Sequence, residues 1–217
     1  MTGDKFDPNA EVETRSHTYS TGSVYEGEWK GGMRHGKGKM VWSDGACYDG
    51  EWQYNMACGE GIFRHTSGDM YSGRWANNKS NGFGLYKTAG GAQYEGHWKD
   101  DLQHGQGVED LQSGAKYEGE YNMGLKHGQG KYTYTNGAVY DGQWAENKIS
   151  GFGKQTWSSG KVYHGQWQEN NMSGFGFYIY DDKVTYDGQF VDDKKQGFGV
   201  YQWTDGRKYC GWWNKGK

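Results

Sequence analysis

A tyrosine recurs along the chain every 23 residues, from Tyr25 to Tyr209. If each of these tyrosines is position 1 of a repeat, glycine fills position 3 in nine repeats of nine and positions 12 and 14 in eight of eight. Position 5 is aromatic in every repeat, as at Trp29 and Trp52. A fixed period of this length is typical of a chain in which each unit packs on its neighbours. The sequence therefore predicts a repeat protein.

The apolar content of the chain is aromatic and thinly spread. Aromatic residues make up 17% of the 217 residues, whereas Leu, Ile, Val and Phe together number only 24. So little aliphatic material cannot fill a thick core at native density, which argues against a two-layer α/β enzyme domain. The net charge of -3, with basic residues dispersed among acids, argues against nucleic-acid binding.

Positions 1 to 5 of each repeat alternate in character, and Asp-Gly or Asn-Gly often falls at positions 20 and 21, as at Asp44-Gly45. This pattern predicts β-strands joined by hairpin turns. A two-residue turn would place position 18 on the acidic face, whereas a three-residue turn ending in a left-handed glycine pairs position 18 with position 22. The second register sorts the residues better, because it gathers positions 1, 5, 16 and 18 on one aromatic face.

In this register position 1 pairs with 16, 3 with 14 and 5 with 12, which leaves a six-residue polar loop at positions 6 to 11. The glycines of positions 3 and 14 form a row across the sheet, flanked by aromatic residues. A large neighbour that lies across a strand glycine covers its backbone, which explains why Trp and Gly recur together. The predicted fold is all-β: an elongated single-layer antiparallel meander of 23-residue β-hairpin repeats, forming a rod or shallow arc. Its aromatic face would be a shallow trough with a glycine floor.

The period also sets the expected boundaries. Residues 1–14 lack the pattern and are predicted to be a flexible N-terminal tail. The array over residues 15–217 comprises a half repeat at 15–24, eight full repeats at 25–208 and a partial repeat at 209–217. A leading strand near Arg15 to Tyr19 brings the expected number of strands to 18.

The unit Tyr25-Glu26-Gly27-Glu28-Trp29, followed by Gly36 and Gly38, closely resembles the MORN repeat, and the resemblance covers about residues 15–217. It departs at Lys183, which replaces the turn glycine of the seventh repeat. The resemblance implies a protein without catalysis of its own that organises assemblies at the cytoskeleton, the cilium or a membrane. Residues 1–14 contain no apolar stretch suited to a signal peptide, so a cytoplasmic location is expected. The resemblance adds an expected association with the cytoskeleton or cilium or with the inner face of a membrane.

The aromatic trough is the first candidate site, because a contiguous exposed aromatic strip is the usual mark of a partner surface. A scaffold of this kind would hold a peptide or helix of a protein partner there. The residues assigned to the trough are Trp75, Tyr94, Gly96, Trp98, Tyr117, Gly119, Tyr121, Tyr140, Trp144 and Trp167.

A row of basic residues in the predicted loops is the second candidate site, and it suits anionic phospholipid headgroups. This reading makes the protein a lipid-binding membrane adaptor; another alternative is a targeting module of a larger enzyme chain. A second copy joined end to end through a terminal repeat is a further partner that open sheet edges allow. The residues of the basic edge are Arg34, Lys79, Lys126, Lys148, Lys194 and Lys195.

Patterns that resemble catalytic or metal-binding motifs are explained by the repeat. Gly31 to Lys37 has the spacing of a phosphate-binding loop but is followed by Gly38, where that motif needs Ser or Thr. His35, His104 and His127 share position 11 in different repeats, too far apart to bind one metal ion. The sequence therefore predicts no catalytic residue, metal or cofactor. Its three cysteines are expected to be reduced thiols.

Overall fold

A computed structural model describes residues 9–180 and 182–217. It divides into two compact units, Met1–Gln112 and Ser113–Lys217. Each unit is an antiparallel meander of nine strands, and the described residues contain no helix, in agreement with the predicted all-β hairpin repeats. The strands of the N-terminal unit are β1 (Val12–Thr18), β2 (Val24–Lys30), β3 (Met33–Val41), β4 (Cys47–Gln53), β5 (Met56–Arg64), β6 (Met70–Ala76), β7 (Lys79–Lys87), β8 (Gln93–Lys99) and β9 (Leu102–Asp110). Those of the C-terminal unit are β10 (Lys116–Asn122), β11 (Leu125–Thr133), β12 (Val139–Ala145), β13 (Lys148–Thr156), β14 (Val162–Gln168), β15 (Asn171–Ile179), β16 (Thr185–Val191), β17 (Lys194–Gln202) and β18 (Lys208–Trp213).

The turn that joins one repeat to the next has the register predicted from the sequence. The Trp42 amide donates to the carbonyl oxygen of Ala46 at 2.9 Å, so position 18 pairs with position 22. Gly45, at position 21, has a φ of +93°, the left-handed conformation that favours glycine. Lys183 adopts the same conformation in the seventh repeat, with a φ of 66°, and its amide donates to the carbonyl of Tyr180 at 3.0 Å. The departure from glycine therefore leaves the turn intact.

The expected six-residue loop at positions 6 to 11 is wrong. The strand runs to position 6 and resumes at position 9, so only positions 7 and 8 turn, as at Glu146 and Asn147. Both residues have positive φ, 49° and 66°, which is the conformation of a two-residue type I′ hairpin turn. Position 8 is always Gly, Asn or Asp, the residues that tolerate this geometry best.

A β-bulge accommodates the shorter turn. Within the sixth repeat Trp144 pairs with Ile149, position 10, instead of the expected Gly151 at position 12. The expected pairing of position 5 with position 12 does occur between neighbouring repeats, where Trp144 pairs with Gly128. At the bulge the Phe152 amide donates to Oε1 of Gln143 at 2.7 Å, so a side chain replaces the missing ladder partner.

Where position 8 is Asn or Asp, its side chain fixes the hairpin to the preceding repeat. Oδ1 of Asn147 accepts a hydrogen bond from the Lys126 amide at 2.8 Å, and the Asn147 amide donates to the Lys126 carbonyl at 3.0 Å. Asn55 makes the same pair of bonds with Arg34. Because these bonds cross between repeats, they hold the register of the array and not only the turn.

The start of the array differs from the expected boundary. β1 begins at Val12 and pairs with β2 over its whole length, Val12 with Lys30 and Thr18 with Val24. Strand structure thus includes residues 12–14, which the sequence pattern assigned to the tail. The expected flexibility of residues 1–8 lies outside the described residues.

Candidate functional site

The tyrosines of position 1 cover the glycine row. Tyr94 is 2% exposed, and its hydroxyl donates to the carbonyl of His97 at 3.0 Å. A Cβ atom on Gly96 would lie 2.6 Å from the Tyr94 hydroxyl oxygen and 2.6 Å from Cα of Gly107 on the neighbouring strand. The same packing surrounds Gly119. The glycine floor expected from the sequence is therefore wrong, because the tyrosine rings fill the space above the glycines.

The tryptophans of position 5 pack between these tyrosines. Trp98 lies edge-on to Tyr71 and Tyr94, with ring centroids 5.3 and 5.1 Å apart, and its Nε1 donates to the carbonyl of Gly84 at 3.1 Å. Edge-to-face contacts of this kind stabilise aromatic pairs beyond the area that they bury. Tyrosine and tryptophan rings together form the floor of the aromatic face.

An open apolar groove of about 780 Å³ lies on this face in the N-terminal unit. Asn55, Asn78 and Asp101, all at position 8, form one polar rim. Aromatic side chains of positions 1, 5, 16 and 18 form the floor and the other wall. These are Trp42, Tyr48, Trp52, Phe63, Tyr71, Trp75, Tyr86 and Trp98.

The groove is open because position 10 is small in two successive repeats. The residue at position 10 pairs with position 5 of its own repeat and also lies near the position 5 ring of the next: Arg34 pairs with Trp29 and lies over Trp52 at 4.3 Å from the ring centroid. Trp52 is consequently only 4% exposed. Ala57 and Ser80 take the place of Arg34 in the next two repeats, and the position 5 rings of the repeats that follow them, Trp75 and Trp98, are partly exposed. Ala57 and Ser80 both line the groove.

The residues assigned to the trough therefore have different roles. Trp75 and Trp98 line the groove, whereas Tyr94 and Gly96 are buried behind its surface. The assigned residues of the C-terminal unit are buried or nearly buried. In that unit the larger side chains of Ile149 and Met172 occupy position 10. The exposed fractions in that unit are 0% for Tyr117, 3% for Tyr121, 0% for Tyr140, 8% for Trp144 and 7% for Trp167.

The basic edge expected from the sequence is wrong for three of its six residues. Arg34, Lys126 and Lys195 are at position 10, in strands, and each lies over aromatic rings. Lys195 is 4.0 Å from the centroid of Trp213 and 4.5 Å from that of Tyr201. Burial lowers the pKa of Lys195 below its usual range, and burial likewise lowers the pKa of Arg34.

The other three lysines lie at position 9, at the start of a strand. Lys79 approaches Asp100 at 3.9 Å, and Lys148 pairs with Glu169 at 3.2 Å. In both cases the acid belongs to the type I′ turn of the next repeat. Two of the lysines on this edge are thus matched by carboxylates. Lys194 has the equivalent position at the start of β17.

The opposite face of the C-terminal unit carries an aromatic row that the sequence analysis missed. Phe152, Phe175 and Phe198 share position 13 and are 54, 59 and 50% exposed. They alternate with position 4, where Phe198 pairs with Trp212, itself 76% exposed. The signal was visible in the sequence, because position 13 is Phe in four of eight repeats.

The described residues contain no group of three His, Cys, Asp or Glu side chains arranged to hold a metal ion. His35, His104 and His127 lie in strands β3, β9 and β11, not in the expected loops. Within residues 9–180 and 182–217, no helix is long and apolar enough to cross a membrane.

Eight consecutive segments of the chain, from residue 25 to residue 206, match the MORN repeat family. The chain therefore belongs to the MORN repeat family. No curated protein matches it significantly in sequence.

Among solved structures, the TCP10 domain of Danio rerio CPAP is similar, with 9% identity, a TM-score of 0.49, and coverage of 91% of this chain and 93% of that one. The TCP domain of Drosophila melanogaster SAS-4, solved in complex with a proline-rich motif of Ana2, has 9% identity and a TM-score of 0.33. That match covers 91% of this chain and 88% of the other.

Proposed function

We propose that this protein is a non-catalytic scaffold or adaptor that holds a peptide or helix of a protein partner in the groove of its N-terminal unit. The observation that carries the proposal is the open aromatic surface at Trp75 and Trp98. Large apolar pockets with a polar rim are the usual sites of recognition, and tryptophan and tyrosine are the commonest anchors of interfaces. Membership of a repeat family suits an extended binding surface.

The setting of the scaffold is part of the proposal. We place it in the cytoplasm, at a cytoskeletal, ciliary or membrane-associated assembly, as the resemblance to MORN proteins implies. The structure supports the lipid-binding alternative less well, because few of the six basic residues are available to bind headgroups. Three of them lie over aromatic rings and two others pair with acids. An end-to-end homodimer remains a proposal that rests on the terminal strands of the array.

The groove can be filled with side chains that already occupy the equivalent position in other repeats of this chain. Met172 and Ile149 occupy position 10 elsewhere in the chain, so Ala57→Met and Ser80→Met place a side chain of known fit beside Trp75 and Trp98. A matched control is Lys131→Met, which places the same side chain on the opposite face at position 15. All variants should keep the wild-type circular dichroism spectrum.

The test is affinity capture from an extract of the source cells, with quantitative comparison of the wild type, the double Met variant and the control. We expect a specific partner to be retained by the wild type and by Lys131→Met and lost with Ala57→Met/Ser80→Met. Equal retention of every specific partner by the filled variant would refute binding in the groove.

A further inference from the structure

Lysine and arginine of this chain already bind the aromatic face from above. Lys195 lies 4.0 Å from the centroid of Trp213, within a group of rings that includes Tyr201. Arg34 covers Trp52 in the same way, at 4.3 Å. A cation held over the face of an indole is attracted by the ring quadrupole. The repeat thus builds a cation-binding surface, and in these two repeats it supplies the cation itself.

In the groove, the indole rings of Trp75 and Trp98 are two such surfaces, and position 10 of the preceding repeat supplies no cation to either. Trp75 lies beside Gly59 as Trp52 lies beside Gly36, and Trp98 lies beside Gly82 in the equivalent register. Position 10, which supplies Arg34 to Trp52, is Ala57 before Trp75 and Ser80 before Trp98. Neither side chain carries charge or reaches across the ring.

The acidic residue of the groove lining is Asp101, and a second carboxylate, Asp69, is hydrogen-bonded to a lining residue. The one cation of the lining, Arg34, lies over Trp52. Oδ1 of Asp101 accepts hydrogen bonds from the Ser80 amide at 2.7 Å and the Ser80 hydroxyl at 3.1 Å. The Tyr86 hydroxyl, on the opposite wall, donates to Oδ2 of Asp69 at 2.9 Å. Hydrogen bonds from the Ala89 amide and from Tyr86 lower the pKa of Asp69, so this carboxylate is charged at neutral pH.

Resting on the proposed function, we infer that the groove recognises a basic segment whose Lys or Arg side chains lie over Trp75 and Trp98 beside Asp101. One strand, β7, lies between the strands that carry these rings, so the rings are two strand spacings apart, roughly 10 Å at about 4.8 Å per spacing. Two side chains on one face of a polyproline II segment span about 9.3 Å at a spacing of three residues. In a helix a spacing of seven residues spans about 10.5 Å. Basic residues three or seven apart are therefore the expected signature of the partner.

The test begins with selection of random twelve-residue peptides, displayed on phage, against the whole chain. We expect enrichment of Lys or Arg pairs at one of these two spacings. Synthetic copies of the selected peptides are then titrated by fluorescence anisotropy, and the indole N–H signals of uniformly labelled protein are followed by NMR. The signals of Trp75 and Trp98 should shift, with those of Trp144 and Trp167 as internal references.

Charge is tested with substitutions that this chain already accommodates. Asp101→Asn keeps the hydrogen bond to the strand, because Asn55, Asn78 and Asn147 accept the same bond at position 8. Replacing each basic residue of the peptide by norleucine removes the charge and keeps the length. We expect a loss of affinity of about 3-fold for Asp101→Asn and about 10-fold for each norleucine, from the usual strength of cation–π and exposed ionic contacts.

The outcomes separate this inference from the proposed function. If Ala57→Met/Ser80→Met abolishes peptide binding but neutral peptides bind as well as basic ones, the groove is the site and the inference is overturned. If the filled variant binds every selected peptide as well as the wild type, the proposed function fails as well. Absence of any selected peptide would also contradict both.

Discussion

A single methyl group added at Gly96 should destabilise the fold, because this glycine is enclosed by backbone and by a buried ring. Its Cβ would lie 2.6 Å from Cα of Gly107, its partner on β9, and 2.7 Å from the carbonyl oxygen of Gln106. Carbon atoms in favourable contact are about 3.5 to 4.0 Å apart, so the shortfall is about 1 Å. The strands cannot separate by this amount without loss of their ladder hydrogen bonds.

The remaining route of relief is displacement of Tyr94, whose hydroxyl oxygen would lie 2.6 Å from the new atom. That ring is 2% exposed, so its displacement opens the aromatic floor. Overpacking of this kind typically costs about 1 to 3 kcal/mol, and we expect Gly96→Ala to lie at the upper end, near 3 kcal/mol. The free energy of unfolding is measured by urea titration followed by circular dichroism.

Gly90→Ala is the matched control within the same unit. The nearest atom to its Cβ would be Nε2 of Gln112 at 3.2 Å, the far end of a flexible side chain. We expect a change within about 0.5 kcal/mol of the wild type. If Gly96→Ala unfolds at the same urea concentration as Gly90→Ala, the argument that tyrosines fill the glycine row is refuted.

Two other predictions concern the turns and the tyrosine floor. Asn147→Gly should lower the free energy of unfolding by about 1 kcal/mol, because the hydrogen bond from the Lys126 amide is lost. Asn147→Ala should lower it by about 2 kcal/mol, because alanine loses the same bond and also adopts the positive φ of this position unfavourably. Equal urea midpoints for the two variants and the wild type would contradict this prediction. Burial raises the pKa of Tyr25 and of Tyr186 to about 12, above the usual value of about 10, so folding favours the neutral ring. The stability that this provides is complete below about pH 10 and is lost as the pH rises toward about 12. The assigned ring signals of Tyr25 and Tyr186, followed by NMR, should report ionisation only together with the loss of circular dichroism in that range, and ionisation of these two rings near pH 10 without unfolding would refute the assignment.

The sequence was sufficient for the strands and for the turn between repeats, because both depend on local patterns. Alternation over five positions and a glycine at position 21 determine which residues can face the same way, and Gly45 adopts the predicted conformation. The turn within the repeat was missed although its signal was present. Asn147 and its equivalents mark a type I′ turn. The bulge at Gly151, however, shifts the pairing of the two strands on either side of this turn, so a constant register extended from the other end of the strands predicts the wrong partners.

The groove could not be predicted because burial on a sheet face depends on side-chain direction as well as on residue type. The pattern placed Tyr94 and Gly96 on one face correctly, but it assigned the cover of the glycines to tryptophan and left the tyrosines as a wall beside a glycine floor. In the structure the Tyr94 ring leans along the strand and contacts the residue two positions on. Similarly, Lys195 was assigned to a loop, although its ammonium group lies over Trp213. Neither direction is encoded in the alternation of polar and apolar residues.

Position 10 determines where the rings of the aromatic face are left exposed. The tyrosines, glycines and tryptophans of positions 1, 3 and 5 recur because each repeat needs them to pack on the next. Position 10 lies above this packing, and the fold accepts Arg34, Ala57, Ile149 and Lys195 there. A large residue covers the next ring, whereas a small residue leaves it open. Under the proposed function, substitution at this position is expected to move or close the binding site while the packing of positions 1, 3 and 5 is kept, which is why the variants at Ala57 and Ser80 are designed to test function separately from stability.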